Sequence, residues 1–335
     1  MEVTMPGRPR RAEVYRRLEE AFVDLRERMG GLPSPVEADG IWTAIWFEEA
    51  HHSTAIEGNT LVLKQVERLL AEGLAVGDKE LSEYMEVRGY ANAARWVYGQ
   101  ALEPGAWTEG DLITLTEVRQ VHQMALGPVW DVAAHDQATE RERPGSFREH
   151  DIHSFPGGMT PPSWPEVPAA MADWIAAINR VNGADRPMEA VARAHSQFER
   201  IHPFLDGNGR TGRLVVNLVL VRLGYAPAII YKQDRSRYLK ALRSADSGDA
   251  GSLGEMLARA ALDNLYRFIV PAVAGPNRLV PLAALATADL TEGALRVAAN
   301  RGRLNAQRLS SGQWRSTKAW VDEYVESRHK RQSLS

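Results

Sequence analysis

The stretch His202-Pro203-Phe204-Leu205-Asp206-Gly207-Asn208-Gly209-Arg210-Thr211-Gly212-Arg213 decides how this chain is read. It lies between two helical patterns, 188–201 before it and 210–223 after it, with Gly224 as the C-terminal stop of the second. Pro203 forbids simple continuation of the first helix. Gly207 and Gly209 tolerate positive φ, so successive backbone N–H groups can converge on one point. The second helix turns its free N-terminal amides and the positive end of its dipole toward the same point. Such a loop is built to hold an anion, and Arg210 and Arg213 bring cationic forks suited to phosphate.

Two further residues make an anion nest into a candidate active site. Asp206 is a hard oxygen ligand beside the phosphates, suited to a Mg²⁺ that keeps several waters. His202, at the other rim, has the side chain best able to take a proton from an incoming hydroxyl near neutral pH. The plainer alternative is a helix corner with two glycines and a solvated polar face. A Gly-x-x-x-x-Gly-Lys-Ser/Thr phosphate loop is absent.

The segment resembles the Fic-domain motif His-x-Phe-x-Asp/Glu-Gly-Asn-Gly-Arg-x-x-Arg and matches it without departure. The resemblance implies a mainly α, all-helical Fic core that moves AMP from ATP onto a hydroxyl of a target protein. By position, His202 is then the general base and Asp206 the Mg²⁺ ligand. Gly207, Asn208, Gly209, Arg210, Gly212 and Arg213 form the nucleotide-binding set, with Arg213 on the γ-phosphate. Relatives that transfer a phosphoryl group instead resemble this pattern with Lys in place of Gly209. A glycine there leaves room for the β- and γ-phosphates. In-line attack on an α-phosphate asks mainly for positioning, charge neutralisation and a proton acceptor, which this set supplies.

A second constellation is Ser53-Thr54-Ala55-Ile56-Glu57-Gly58-Asn59. Ser53 and Glu57 share a helix face, and a glutamate at a helix C-terminus opposes the dipole. Most such glutamates are merely solvated. The segment is similar to the Ser/Thr-x-x-x-Glu-Gly/Asn inhibitory motif of Fic proteins that carry it on an N-terminal helix, which implies that Glu57 pairs with Arg213 and displaces the γ-phosphate. Gly145-Ser146-Phe147-Arg148 followed by Pro156-Gly157-Gly158 looks like the family's flap, and a β-hairpin is expected around residues 146–152, turning before Pro156-Gly157-Gly158. Tyr238 falls at a spacing suited to closing over adenine, although an aromatic at helical spacing is more often core. His51-His52 and His150/His153 do not make a zinc motif.

Working outward, helical periodicity covers 13–29, 41–56, 63–72, 79–99, 109–125, 164–182, 235–246 and 252–270. Pro and Gly between 271 and 281 mark a boundary where the charge balance also turns over. Residues 277–335 hold ten Lys/Arg against five Asp/Glu, while the whole chain of 335 residues carries −3. The expected units are therefore 1–100 with the inhibitory helix, a 101–270 catalytic core, and 271–335 as linker and module. In that last unit a short helix at 281–288 precedes a helix at 292–300, a wing at 301–314 and a final helix capped by Ser316. The run resembles excisionase-like (winged) helix-turn-helix modules. That makes DNA a candidate partner of residues 279–327 through Arg296, Arg301, Arg303 and Arg308.

Composition is ordinary for a globular protein with a sizeable core and excludes a disordered or low-complexity chain. Apolar residues make 44% and charged residues 25% of the chain, and there is no cysteine, which excludes disulfides and thiolate chemistry. The start of the chain lacks the apolar core of a secretory signal, and no apolar run reaches bilayer length, so a soluble cytoplasmic protein without membrane partners is expected. The reading is an autoinhibited protein adenylyltransferase using ATP and Mg²⁺, with a homodimer left open. Removal of AMP from a modified protein, or nucleotide sensing by a DNA-binding transcriptional regulator, are the competing functions.

Overall fold

The computed structural model describes residues 10–35, 38–154, 159–309 and 312–332. The basic residues 1–9 and the Pro156-Gly157-Gly158 turn lie outside them. The helical body runs α1 (Arg11–Met29), α2 (Asp39–Glu57), α3 (Leu63–Glu72), α4 (Leu81–Leu102), α5 (Leu115–Trp130), α6 (Val167–Ile178), α7 (Pro187–Ile201), α8 (Asn208–Arg222), α9 (Arg235–Asp246) and α10 (Gly251–Asn264).

The centre of this body is α8. Leu214, Val215, Val216 and the run from Leu218 to Val221 are all buried, so it is apolar around its circumference. A helix of that kind must be enclosed. It packs against α2, α4, α5 and α7. α4 and α5 approach closely, and a Cβ on Gly89 would run into the carbonyl of Ala125. Glu117 at the start of α5 is fully buried, and its carboxylate is satisfied by Arg222 at the end of α8, 2.6 Å away. That pair pins the far end of α8 and leaves its N-terminus to carry the motif loop.

Several boundaries differ from the expected ones for local reasons. α5 begins at Leu115, where Thr114 and Glu117 form a capping box, and it continues through Pro128 to Trp130. α8 starts two residues earlier than the periodicity suggests, at Asn208. After α10 the helix continues without a break through a π-helical turn, Leu265–Ile269, into a short α11 (Val270–Val273), with Pro271 just after the π turn.

Among the described residues the expected flap hairpin shows no strand ladder: 146–154 and 159–163 run as irregular chain. They are linked by the Ser154 and Thr160 hydroxyls at 3.1 Å and by Arg148, which donates to the Pro162 carbonyl.

The described strands lie in the C-terminal module: β1 (Val280–Pro281), β2 (Gln307–Arg308) and β3 (Trp314–Ser316), antiparallel in the order β1-β3-β2. Between β1 and β2 lie a single 3₁₀ turn, Leu282–Leu285, and α12 (Glu292–Asn300), whose N-cap is Thr291. The last helix, α13 (Lys318–Gln332), is capped by Thr317, which accepts the Trp320 N–H. Ser316 instead donates to the Asn305 carbonyl. The module has its own small core around Leu295, Ala298 and Leu304. Val280 and Ala284 nonetheless belong to the main core, and Arg315 pairs with the buried Asp24 of α1 at 2.6 Å. The boundary near residue 275 is thus a packed joint. No helix among the described residues is long and apolar enough to cross a membrane.

Candidate active site

The motif loop is shaped by backbone geometry that only a few positions can supply. His202 ends α7 in the left-handed conformation, φ 49°, unusual for a residue with a side chain. Gly207, φ 77°, makes the turn into α8. Between them Asn208 folds back: its Oδ1 accepts the Phe204 N–H at 2.9 Å and its Nδ2 donates to the Phe204 carbonyl at 2.8 Å. The Asn208 side chain is buried and closes the loop rather than facing a phosphate.

Beneath the loop lies a residue that the sequence reading passed over. His122 of α5 stacks on Phe204 at 3.7 Å between centroids. Its Nδ1 accepts the Gly145 N–H at 2.7 Å, so Nε2 bears the proton and donates to the Asp206 carbonyl at 2.9 Å. Burial keeps this imidazole neutral, with its pKa lowered to about 4.

His202 is oriented by the carbonyl of Glu199, 3.3 Å from its Nδ1. A carbonyl only accepts, so Nδ1 carries the proton and Nε2 is the basic atom. Burial lowers the His202 pKa to about 4, against the opposing pull of the Glu199 carbonyl, and the imidazole is neutral at physiological pH.

Asp206 projects from the loop with its side chain half exposed. Both of its oxygens meet Arg210 at 3.0 Å. Burial works against ionisation, but Arg210 and the Gly207 amide outweigh it and hold the carboxyl below its usual range. Arg210 is itself shared with Glu86 of α4, at 2.5 Å, a partner 124 positions away. Asp206 is thus a preorganised carboxylate at the mouth of an amide-rich loop. It matches one ligand of an octahedral Mg²⁺ completed by waters and phosphates, not a dedicated protein cage. Among the described residues no cluster of three metal-binding side chains exists.

Arg213, one turn further along α8, is buried and fully engaged by α2. Its Nε donates to Ser53 Oγ at 2.7 Å, and its Nη2 donates to the Ser53 carbonyl at 2.9 Å and to Glu57 Oε1 at 2.8 Å. Burial disfavours its charge, but the Glu57 carboxylate more than compensates. Gly209 lies beside this pair, and a Cβ there would come within 2.5 Å of Glu57 Oε1. Gly209 is helical, so its role is space, not positive φ.

One turn earlier on α2, Glu49 is buried among Tyr90, Tyr98 and Asn217 of α4 and α8. Asn217 Nδ2 donates to Glu49 Oε1 at 2.7 Å. The last turn of α2 is also tethered from outside. Arg235 Nε donates to the Ile56 carbonyl at 2.6 Å, and Asn59 bonds to Glu86 and the Glu83 carbonyl.

Tyr238 is buried, 1% exposed, with its hydroxyl on His195 Nε2 at 2.7 Å and its ring about 6.0 Å from the Arg213 guanidinium. It supports Arg213 from below and has no open face for a base. Gly212 sits over the Glu199 carboxyl, where a Cβ would lie 2.5 Å from Oε1.

Burial raises the Glu199 pKa to about 8, so this side chain is neutral below that pH. In the unfolded chain it ionises near 4.5, so the fold binds the extra proton and loses stability as pH rises from about 4.5 to 8. Glu199→Gln cannot ionise. Its melting temperature relative to the parent is expected to climb by a few degrees between pH 5 and pH 8. The histidines are common to both proteins and cancel in the difference; a constant difference would show that Glu199 is not held neutral.

Residues 112–220 match the Fic/DOC family model, and the motif loop lies within that span. The chain is 31% identical over 251 residues to the protein adenylyltransferase Fic of Drosophila virilis, covering 73% of this chain and 48% of that protein. With the Drosophila grimshawi relative of the same name it shares 32% over 249 residues, covering 72% and 48%. The chain thus spans about half the length of the curated relatives it matches. Among solved structures, Fic-1 of Caenorhabditis elegans superposes with a TM-score of 0.62 at 27% identity, covering 77% of this chain and 70% of that one. A Fic-domain signalling protein of Bacteroides thetaiotaomicron, 24% identical with a TM-score of 0.60, shares the fold. The chain carries a Fic/DOC domain.

Proposed function

We propose that this chain is a protein adenylyltransferase, using ATP as substrate, and that Glu57 restrains it. The observation that carries the reading is the Arg213 fork, closed by Ser53 and Glu57 at the mouth of a loop whose neutral histidine and ionised aspartate are already in place. In the reaction the oxygen of a target-protein hydroxyl attacks the α-phosphorus of ATP. The bond from phosphorus to the bridging oxygen of pyrophosphate breaks, and the hydroxyl proton passes to His202 Nε2. The α8 amides from Asn208 onward and Arg213 hold the phosphate chain in line. Asp206 would hold Mg²⁺, which when bound neutralises charge on the leaving pyrophosphate. The test is incubation with α-labelled ATP and Mg²⁺, comparing wild type and Glu57→Gly in lysate. Label on protein supports transfer, whereas label lost from a pre-modified protein would favour AMP removal.

Asp206→Ala is expected to abolish the response of that activity to Mg²⁺, because the loop then offers no carboxylate at the phosphates. The loss should be at least on the order of 10²-fold in rate at saturating ATP. A metal titration that superimposes on the parent's would remove Asp206 from the metal role.

The DNA reading of the C-terminal module rests on fewer cations than the sequence suggests. Arg315 is taken by Asp24, and Arg296 lines a groove together with Glu13, Arg16 and Glu20 of α1. Arg301, Arg303 and Arg308 remain exposed on the outer face. Three phosphate contacts give a salt slope of only about −2.7. Retention of the full chain on duplex DNA should therefore be weak and vanish by moderate salt; a slope of twice that size would restore a regulator as the better description.

A further inference from the structure

The mechanism above leaves Arg148 unused, yet it is among the most completely buried side chains of the protein, 1% exposed. Its charge has no close carboxylate: Asp151 Oδ1 stands 3.9 Å from Nη1 and is itself largely in solvent. Backbone carbonyls surround it instead. Nε donates to His202 O at 2.9 Å, Nη1 to His150 O at 2.9 Å, and Nη2 to Pro162 O at 2.6 Å and more loosely to Ile201 O at 3.5 Å. Its own N–H donates to Pro203 O at 2.9 Å.

These partners fall into two groups. Ile201, His202 and Pro203 are the end of α7, where the last carbonyls have no partner within the helix and a cation is favoured by the dipole. His150 and Pro162 lie on the two described segments of the flap, 146–154 and 159–163. A planar guanidinium with five donors suits such a junction; an ammonium does not. The carbonyl it holds at His202 belongs to the one residue of the loop that keeps a left-handed backbone despite its side chain, so the base depends on outside support for its conformation.

We propose that Arg148 is the positioning residue through which the two flap arms set the orientation of His202. A target segment lying along residues 146–154 and 159–163 would then order the arms and the base in a single event. The proposal rests on the transferase reading for its consequence in catalysis, and on the carbonyl geometry alone for the coupling. Loss of Arg148 removes a donor from each of the part-buried carbonyls of His202, His150 and Pro162 and lets the His202 backbone relax. It touches neither Arg213 nor the α8 amides that bind nucleotide.

The test uses the full chain in the Glu57→Gly background, with Arg148→Lys and Arg148→Met as variants. Labelling from α-labelled ATP at saturating nucleotide is expected to fall on the order of 10²-fold in Arg148→Lys, the cost of a roughly 1 Å misplacement. Its affinity for ATP, read by equilibrium dialysis, should stay within about twofold. Labelling within about twofold of the parent would overturn the proposal. Should the methionine variant not fold, the lysine variant decides. In the unmodified chain, hydrogen exchange at the Arg148 and His202 amides should share one opening free energy; separate values would overturn the coupling without any variant. If Glu57→Gly labels nothing whatever stands at position 148, the transferase reading fails, and the exchange result still decides the coupling.

Discussion

Replacing Glu57 by glycine is expected to raise AMP transfer by on the order of tenfold to a hundredfold. The argument is a competition for one guanidinium. Arg213 spends Nη2 on Glu57 Oε1 and Nε on Ser53, and the same fork is the cation positioned to hold the end of the phosphate chain. A carboxylate and a γ-phosphate cannot occupy that position together. A charge-assisted hydrogen bond contributes about 1.5–3 kcal/mol, hence the tenfold to hundredfold range. The Glu57 side chain is 35% exposed, and solvent screening pulls the effect toward the lower end. The local cost is small, because α2 already ends at Gly58 and the Ile56 carbonyl keeps its bond from Arg235. Labelling from α-labelled ATP at equal nucleotide reads the effect. A variant no more active than its parent, alongside an inactive Arg213→Ala, would leave the catalytic set standing and remove Glu57 as the restraint.

His202→Ala, made on the released Glu57→Gly protein, is expected to lower the rate of transfer by about 10²- to 10⁴-fold. Affinity for ATP should hardly change, since the imidazole acts on the attacking hydroxyl and not on the nucleotide. The His202 pKa of about 4 adds a second readout. The imidazole is neutral at every pH above that value, so the acid limb of the released enzyme's rate profile should fall well below the usual histidine range near 6.5. Near-normal labelling by the alanine variant would sink the assignment of the base. An acid limb at pH 6.5 would mean that the side chain is more solvated during turnover than the fold suggests.

What the sequence made legible was punctuation and chemistry close together along the chain. Pro203, Gly207 and the charges between His202 and Arg213 announced an anion loop, and α12 occupies the span that its periodicity assigns. Partners far away in sequence were not legible. Glu86, His122 and Glu199 sit on helices as ordinary polar residues, and only folding brings them under the loop. Tyr238 shows the limit from the other side: its spacing fits a base-stacking aromatic and a core aromatic equally, and burial decides for the core. The described parts of the flap form no ladder, and alternation says nothing about competing donors. The carbonyls of His150 and Pro162, which a ladder would need, are held by Arg148.

The tethers around the last turn of α2 determine how fast the restraint can act. Arg235 holds its backbone at the Ile56 carbonyl, and just beyond it the Asn59 side-chain amide donates to the Glu83 carbonyl and to Glu86, while the Glu57 side chain remains partly open to water. Releasing Glu57 from Arg213 therefore requires a change of the Glu57 rotamer and no movement of the helix. Partly exposed side chains make such changes in picoseconds to nanoseconds, far faster than turnover. Every molecule then samples both states many times within one catalytic cycle, and the population does not divide into long-lived active and inactive copies. A single-turnover labelling trace of the wild-type protein should accordingly be one slow exponential reaching full amplitude, with no fast fraction.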